Sequence, residues 1–277
     1  MFADPHSQVS PKSPHQRSRG VGRLSVKRSG DQTRIENLYQ QGCSKIRLPT
    51  PGDEGLQAIM INSSGGLTGG DRLDWSFELE DHTALTVTSQ ACERIYAASE
   101  DIAQTSISLV VGEGARLAWL PQETILFDNG AFARSINVEL AKNAELLMVE
   151  PIIFGRQAME EKVLNGWLKD SWRISRDGQL LHAEEAAFGE SVDNLLQSRA
   201  VTSGQLAAAT VLLIADRAEG LIEPARKVLG PGGGASCWDG KLLARMVAED
   251  GYCLRKRLVA LISMMNRDTP LPKIWAL

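Results

Sequence analysis

Soft metal ligands are scarce in this sequence. Four cysteines and four histidines are spread over 277 residues, and neither set clusters. Cys43, Cys92, Cys237 and Cys253 contain no C-x-x-C pair, which excludes a zinc knuckle or a disulfide framework and leaves buried thiols in a reducing compartment as the reading. His6, His15, His82 and His182 form no H-x-x-x-H or H-E-x-x-H pair. The nucleophile motifs G-x-S-x-G and S-x-x-K are missing as well. No apolar run approaches the roughly 18 residues of a spanning helix. Net charge is -4 and no Lys/Arg stripe is visible, which argues against nucleic acid or an anionic membrane as partner. The first twenty residues carry Pro5, Pro11 and Pro14 and lack the apolar segment of a signal peptide; they read as a disordered tail (1–20) of a cytoplasmic protein.

What the chain has in quantity is apolar alternation. Trp75, Phe77, Leu79, Leu85 and Val87 recur 32 residues on as Ile107, Leu109, Val111, Leu117 and Trp119. A further 29 residues on they recur as Ile136, Val138, Leu140, Leu146 and Met148. Period-2 alternation marks strands buried on one face, and a period near 30 marks stacked units. The polar breaks Glu80-Asp81-His82, Gly112-Glu113-Gly114 and Ala141-Lys142-Asn143 fall where corners are needed. With 43% hydrophobic residues, a sizeable core is available. The expected fold is mainly β, a superhelical or solenoid-like stack of β-sheets with two or more C-terminal α-helices, forming a single domain over residues 21–277 with a β body at 21–215 and a helical part at 216–277.

Flanking segments fit that frame. Leu24 and Val26 lead into the turn Arg28-Ser29-Gly30-Asp31, with Ile35, Leu38 and Ile46 beyond it, as a hairpin plus a strand. Ala58 to Ile61 is a short strand, and Ala91 to Tyr96 is either a short helix or a strand with a corner. Trp172 and Ile174 meet Leu180 across the turn Arg176-Asp177-Gly178. Thr210 to Ile214 reads as a last strand, Gly232 to Gly234 as a flexible loop. Leu221, Ile222, Ala225, Val228 and Leu229 have helical spacing, stopped by Gly230-Pro231. Leu254, Leu258, Leu261, Ile262 and Met265 form a second stripe, opposite Arg255, Lys256 and Arg257; such a stripe is either core or a docking face.

Polar residues carry the rest. The run Gly65-Gly66-Leu67-Thr68-Gly69-Gly70-Asp71 has neither phosphate-loop spacing, and a strand rather than a helix follows it. Its glycines read as backbone shape, with Asp71 at a strand entrance. Strand parity aims four polar groups at the core: Asp71 with Leu73, Ser89 with Val87, Glu123 with Trp119, and Glu150 with Met148. Buried carboxylates persist only when paired, hydrated or neutralised, so these are either strand ends open to water or members of a functional interior. Paired carboxylates such as Glu123 and Glu150 also admit a solenoid glycan hydrolase or lyase, although no exposed aromatic platform accompanies them.

Five stretches in order, Gly65 to Asp71, Thr88-Ser89-Gln90-Ala91 with Tyr96, Trp119-Leu120-Pro121-Gln122-Glu123-Thr124-Ile125, Gly155-Arg156-x-Ala158-Met159-x-Glu161 and Leu271-Pro272-Lys273-Ile274-Trp275, resemble the UreD (UreH) family of urease accessory proteins over nearly all of the chain after residue 20. Departures fall at Ser89 (Thr in the family pattern), Ala97 (a basic residue), Glu160 (Gly) and Lys273 (Arg). The resemblance implies a mainly β superhelical fold and a non-enzymatic scaffold that helps insert nickel into apo-urease together with UreF and the GTPase UreG. It also implies that no cofactor is held permanently and that nickel is in transit. Transit needs successive weak sites rather than one deep trap, so Asp71, Ser89, Glu123 and Glu150, with Thr88 and Gln90 nearby, are the expected lining of its route. The C-terminal helices and Pro272 to Leu277, with the Ile274-Trp275 pair, are the expected contact for the UreF-like partner.

Overall fold

The computed structural model describes residues 17–50, 55–267 and 269–276. In chain order it forms β1 (Arg19–Ser29), β2 (Gln32–Gly42), β3 (Ser44–Arg47), β4 (Gln57–Asn62), β5 (Arg72–Leu79), β6 (Ala84–Ser89), β7 (Glu93–Ile95), β8 (Ala103–Val111), β9 (Arg116–Leu120), β10 (Thr124–Leu126), β11 (Ala131–Leu140), β12 (Glu145–Phe154), β13 (Trp167–Arg176) and β14 (Gln179–Phe188). There follow α1 (Val192–Gln197), β15 (Ala207–Ile214), α2 (Ile222–Leu229), β16 (Gly233–Trp238), β17 (Lys241–Ala248) and α3 (Gly251–Met265).

Two sheets stack as a mainly β solenoid. The first runs β14-β13-β11-β8-β5-β1-β2, and the second runs β16-β17-β15-β12-β9-β6-β4-β3 with β7 and β10 attached beside β12. The repeat in the sequence is the ladder register itself. Trp75, Phe77 and Leu79 pair in parallel with Ile107, Leu109 and Val111, which pair with Ile136, Val138 and Leu140. In the second sheet Leu85 and Val87 pair with Leu117 and Trp119, and these with Leu146 and Met148. All of these side chains are buried between the sheets. Each rung is therefore one strand of each sheet joined by a corner, and a parallel neighbour in both sheets requires the next rung to repeat the same pattern.

The corners repeat too. Their third residues, His82, Gly114 and Asn143, all take left-handed backbone, with φ of 55°, 61° and 56°, because a turn this tight needs a positive φ. Antiparallel hairpins close the ends of the first sheet, β1 with β2 and β13 with β14. The latter turns on Asp177 and Gly178, both with positive φ.

The outer face of the second sheet is apolar as well. Leu147 and Val149 of β12 alternate with the inward Leu146 and Met148, so β12 is buried on both faces, as a covered parallel strand must be. α2, α3 and Trp275 cover that face, and Leu254, Leu258, Leu261, Ile262 and Met265 are fully buried against it. Asp250 caps α3 through the Cys253 N–H at 2.6 Å, and α2 ends at Gly230 with φ of 58°.

Several expectations need correction. Thr210 to Ile214 lies in β15, which is not the last strand: β16 and β17 follow it as a hairpin. Gly233 and Gly234, expected in a loop, open β16, where an edge strand tolerates residues without side chains. Ile35 and Leu38 lie on β2 as expected but stay about 40% exposed, because among the described residues the second sheet ends at β3. Ala91 to Tyr96 resolves into the strand β7. Of the expected tail at 1–20, residues 1–16 lie outside the described residues, and Arg19 already opens β1. Among the described residues no helix is long and apolar enough to cross a membrane.

Candidate functional site

The second sheet contains a break, and the polar residues gather there. β12 pairs with β9 over Glu145 to Met148 and with β10 over Ile152 to Phe154. Between those stretches Pro121-Gln122-Glu123 leaves the sheet, and Gln90-Ala91-Cys92 makes the same detour between β6 and β7. Glu150 stands on β12 opposite the gap. A cavity of about 170 Å³ opens behind the break, walled in part by Ser89, Cys92, Glu93, Trp119, Arg134 and Glu150.

At its floor Arg134 joins the two sheets. Its Nε and Nη2 donate to Asp170 at 3.0 and 2.6 Å, and Nη1 donates to Thr124 Oγ1 at 3.2 Å. The same Nη1 lies 2.5 Å from Glu150 Oε2, in ion-pair contact but off the hydrogen-bond line, so that oxygen is buried without a donor. Glu150 Oε1 accepts the Trp119 indole N–H at 2.7 Å. Burial pushes the Glu150 carboxyl up to about 7 against the pull of Arg134. Burial also works against the Arg134 cation, but Asp170 and Glu150 outweigh it and hold the guanidinium charged. The two directions are compatible because Arg134 divides one charge between two carboxylates. Glu93 is partly exposed as a residue, yet desolvation of its carboxyl raises it to about 7, with the Asn62 amide 3.1 Å away pulling the other way.

Of the four residues singled out by parity, the cavity takes in Ser89 and Glu150. Ser89 Oγ accepts the Gln122 N–H at 2.8 Å and donates to the Ala91 carbonyl at 3.0 Å, tying the two detours together. Glu123 is buried but faces α3, where Arg255 Nη1 reaches both its oxygens at 2.9 and 3.1 Å. Asp71 is buried at the entrance of β5 and accepts the Ser18 and Thr68 N–H groups at 2.7 and 2.9 Å. Thr88 is buried on β6 but lies outside the cavity lining, and Gln90 borders the cavity. Sequence reasoning missed Arg134 and Asp170, although the signal was present: Arg134 shares the parity of Phe132 and Ile136, and Asp170 that of Trp172 and Ile174. The two face each other in the ladder.

Other motifs of the resemblance meet on one surface. Gly66, with φ of 148°, packs so close to Tyr96 that a Cβ would lie 2.4 Å from its ring. The Tyr96 ring meets Phe127 edge-on at 5.1 Å, Arg156 lies 4.7 Å over Phe127, and Glu161 holds Arg156 Nε and Nη2 at 3.0 and 2.7 Å. Glu160 has φ of 53°, which gives the family's glycine there a physical reason. The expected partner contact loses its motive: Trp275 is 1% exposed, donates to the Leu120 carbonyl at 3.0 Å and lies under Arg255. The α3 stripe is likewise interior, and Leu277 lies outside the described residues.

Sequence comparison with known proteins finds relatives along nearly the whole length of the chain. The profile of the family described as UreD urease accessory protein matches residues 18–276. The urease accessory protein UreD of Mesorhizobium japonicum is 46% identical over 266 residues, covering 95% of each chain. That of Rhizobium johnstonii is 48% identical over 263 residues, covering 95% of this chain and 96% of its own. That of Agrobacterium fabrum is 45% identical over 262 residues, covering 95% and 92%.

Proposed function

The chain belongs to the UreD family of urease accessory proteins, and from that premise we propose that it helps insert nickel into apo-urease as a non-catalytic scaffold, in a complex with UreF-like and UreG-like proteins in the cytoplasm. The observation that carries the reading is Glu150. Its carboxylate is buried, has one oxygen reached by the Arg134 ion-pair contact without a hydrogen bond, and belongs to the walls of two cavities, the one at the sheet break and a second of about 370 Å³ between β14, β15 and β17. A carboxylate shared by two cavities suits passage of a divalent ion better than storage.

The chemistry of the wall supports transit. Ser89, Glu93 and Glu150 offer oxygen ligands, which hold nickel less firmly than imidazole or thiolate. Cys92 is the one thiol in this wall, and burial together with Glu123 pushes it up to about 12, which disfavours the thiolate that would hold the ion firmly. Asp71 and Glu123 serve the route indirectly in this reading, by fixing the strand entrance and the detour. The four cysteines are free and half-buried, not buried as expected. The rival reading, a glycan hydrolase on Glu123 and Glu150, loses support because each carboxylate is already bound to an arginine.

Urease activation measured beside complex formation tests the proposal. Glu150→Leu is expected to leave the complex intact and lower activation at least tenfold (an order-of-magnitude figure, ~1.4 kcal/mol), with Glu150→Gln intermediate. Normal activation by a folded Glu150→Leu chain would rule the route out.

A further inference from the structure

Arg134 stands against Glu150 in the wall of one cavity. Its three nitrogens are divided: Nε and Nη2 grip Asp170, while Nη1 alone reaches Glu150 and Thr124. Letting go of Glu150 therefore requires no loss of the Asp170 fork. A guanidinium can divide itself this way and an ammonium cannot. One buried cation here faces three carboxylates, Asp170, Glu150 and Glu93; Arg94 borders the same cavity but is exposed. Carboxyl groups thus outnumber buried cations here, and Glu150 Oε2 is held by the Arg134 ion-pair contact without a hydrogen bond.

We propose that Arg134 is a resident counter-ion which an incoming divalent cation displaces from Glu150, and that Asp170 is the anchor keeping the guanidinium in place while it lets go. The inference rests on the nickel-handling reading and adds a regulation to it. Without cation, Arg134 bridges the sheets and closes the passage at Glu150. With cation, Nη1 swings off, the fork on Asp170 holds, and the ion takes the vacated side of Glu150. When the ion leaves, Arg134 returns, which resets the site and opposes retention. Asp170 is a positioning residue in this scheme.

Trp119 supplies a readout, because its indole N–H donates to Glu150 at 2.7 Å. The full-length chain is titrated with nickel chloride while the Trp119 indole resonance, assigned by Trp119→Phe, is followed by NMR and affinity is measured by calorimetry. The resonance is expected to shift with occupancy. Arg134→Met, which removes the competitor, is expected to bind nickel about tenfold tighter. Asp170→Asn, which frees both arms of Arg134 for Glu150, is expected to bind several-fold weaker, and Arg134→Lys to depart from wild type because it cannot hold both partners. A merely structural ion pair would give equal losses in all three variants, and that result would overturn the proposal. Should the variants fail to fold, an unmoved Trp119 resonance in the wild-type chain at saturating nickel would overturn it alone. Urease activation by Glu150→Leu separates the two ideas: lost activation with an unmoved Trp119 signal removes the counter-ion scheme and leaves the route, whereas normal activation removes the route.

Discussion

Arg255 on α3 holds Glu123, 132 residues earlier, by two hydrogen bonds to its carboxylate. The same guanidinium donates to Gln122 Oε1 at 2.8 Å and to the Ile274 carbonyl at 2.7 Å, so one side chain joins the sheet break, the last helix and the C-terminal segment. Replacing it by Met leaves a carboxylate at 3% exposure with no cation. Loss of one partner of a buried pair costs about 3–5 kcal/mol. Urea denaturation of Arg255→Met should show a loss of that order, and Glu123→Gln, which removes the charge as well, a smaller one.

Glu160 tests the left-handed position after the short turn at Gln157–Met159. A non-glycine residue there costs about 1–2 kcal/mol relative to glycine. Its neighbour Glu161, not Glu160, makes the bonds to Arg156, so Glu160→Gly removes strain without removing that clasp. The expected outcome is a gain of about 1 kcal/mol, read as a higher midpoint of thermal unfolding. Glu161→Gln should move the midpoint the other way.

The stacked rungs were legible because each apolar row in the sequence is also a row of the ladder: a parallel solenoid writes its register into its repeat length. The β16–β17 hairpin was not, because Gly233 and Gly234 leave the start of β16 without apolar alternation and β17 is buried at consecutive positions, Lys241 included. Half of the site was legible from strand parity. Parity found Glu150 and Ser89, and extended toward the starts of β11 and β13 it reaches Arg134 and Asp170. It cannot separate a cavity residue from a buried strut, because Asp71, Glu123 and Glu150 all share the parity of inward residues in the sequence although Glu123 lies in the detour and faces α3. Trp275 eluded the sequence for a related reason: a terminus carries no periodicity to mark which side is covered.

Stability should depend on pH in a direction opposite to that of an ordinary ion-paired surface. Glu93 and Glu150 have folded values near 7 against an ordinary 4.5, raised by burial. Between those values the folded state binds more protons than the unfolded one, so stability falls as pH rises through the window. The ceiling is of order 3 kcal/mol for each group. Glu161, bonded to Arg156, and Glu184, beside His182 and Arg245, are held low instead, and their contribution disappears only as pH drops below about 4.5. Denaturation midpoints should therefore be higher at pH 5 than at pH 7.5, and Glu150→Gln should flatten that slope. A midpoint that climbs from pH 5 to 7.5 in the wild-type chain would contradict the assignment.

The C-terminal segment gives the sharpest contrast between burial and exposure. Trp275 fills the outer apolar layer, and its indole N–H closes on Leu120, the residue before the detour that walls the cavity. Truncating a buried tryptophan costs about 3–5 kcal/mol. Arg255 would lose the ring it stacks on at 4.9 Å, and its hold on Glu123 would loosen with it. Trp275→Ala should thus lower the urea midpoint and, in the same variant, weaken urease activation through the detour. Tyr252, on the same helix as Arg255 but 67% exposed, makes the control: Tyr252→Ser should stay within about 0.5 kcal/mol of wild type. Loss of partner binding in a chain shortened before Lys273 would then report damage to the fold, whereas loss of binding in Tyr252→Ser at unchanged stability would place a partner on the outer face of α3.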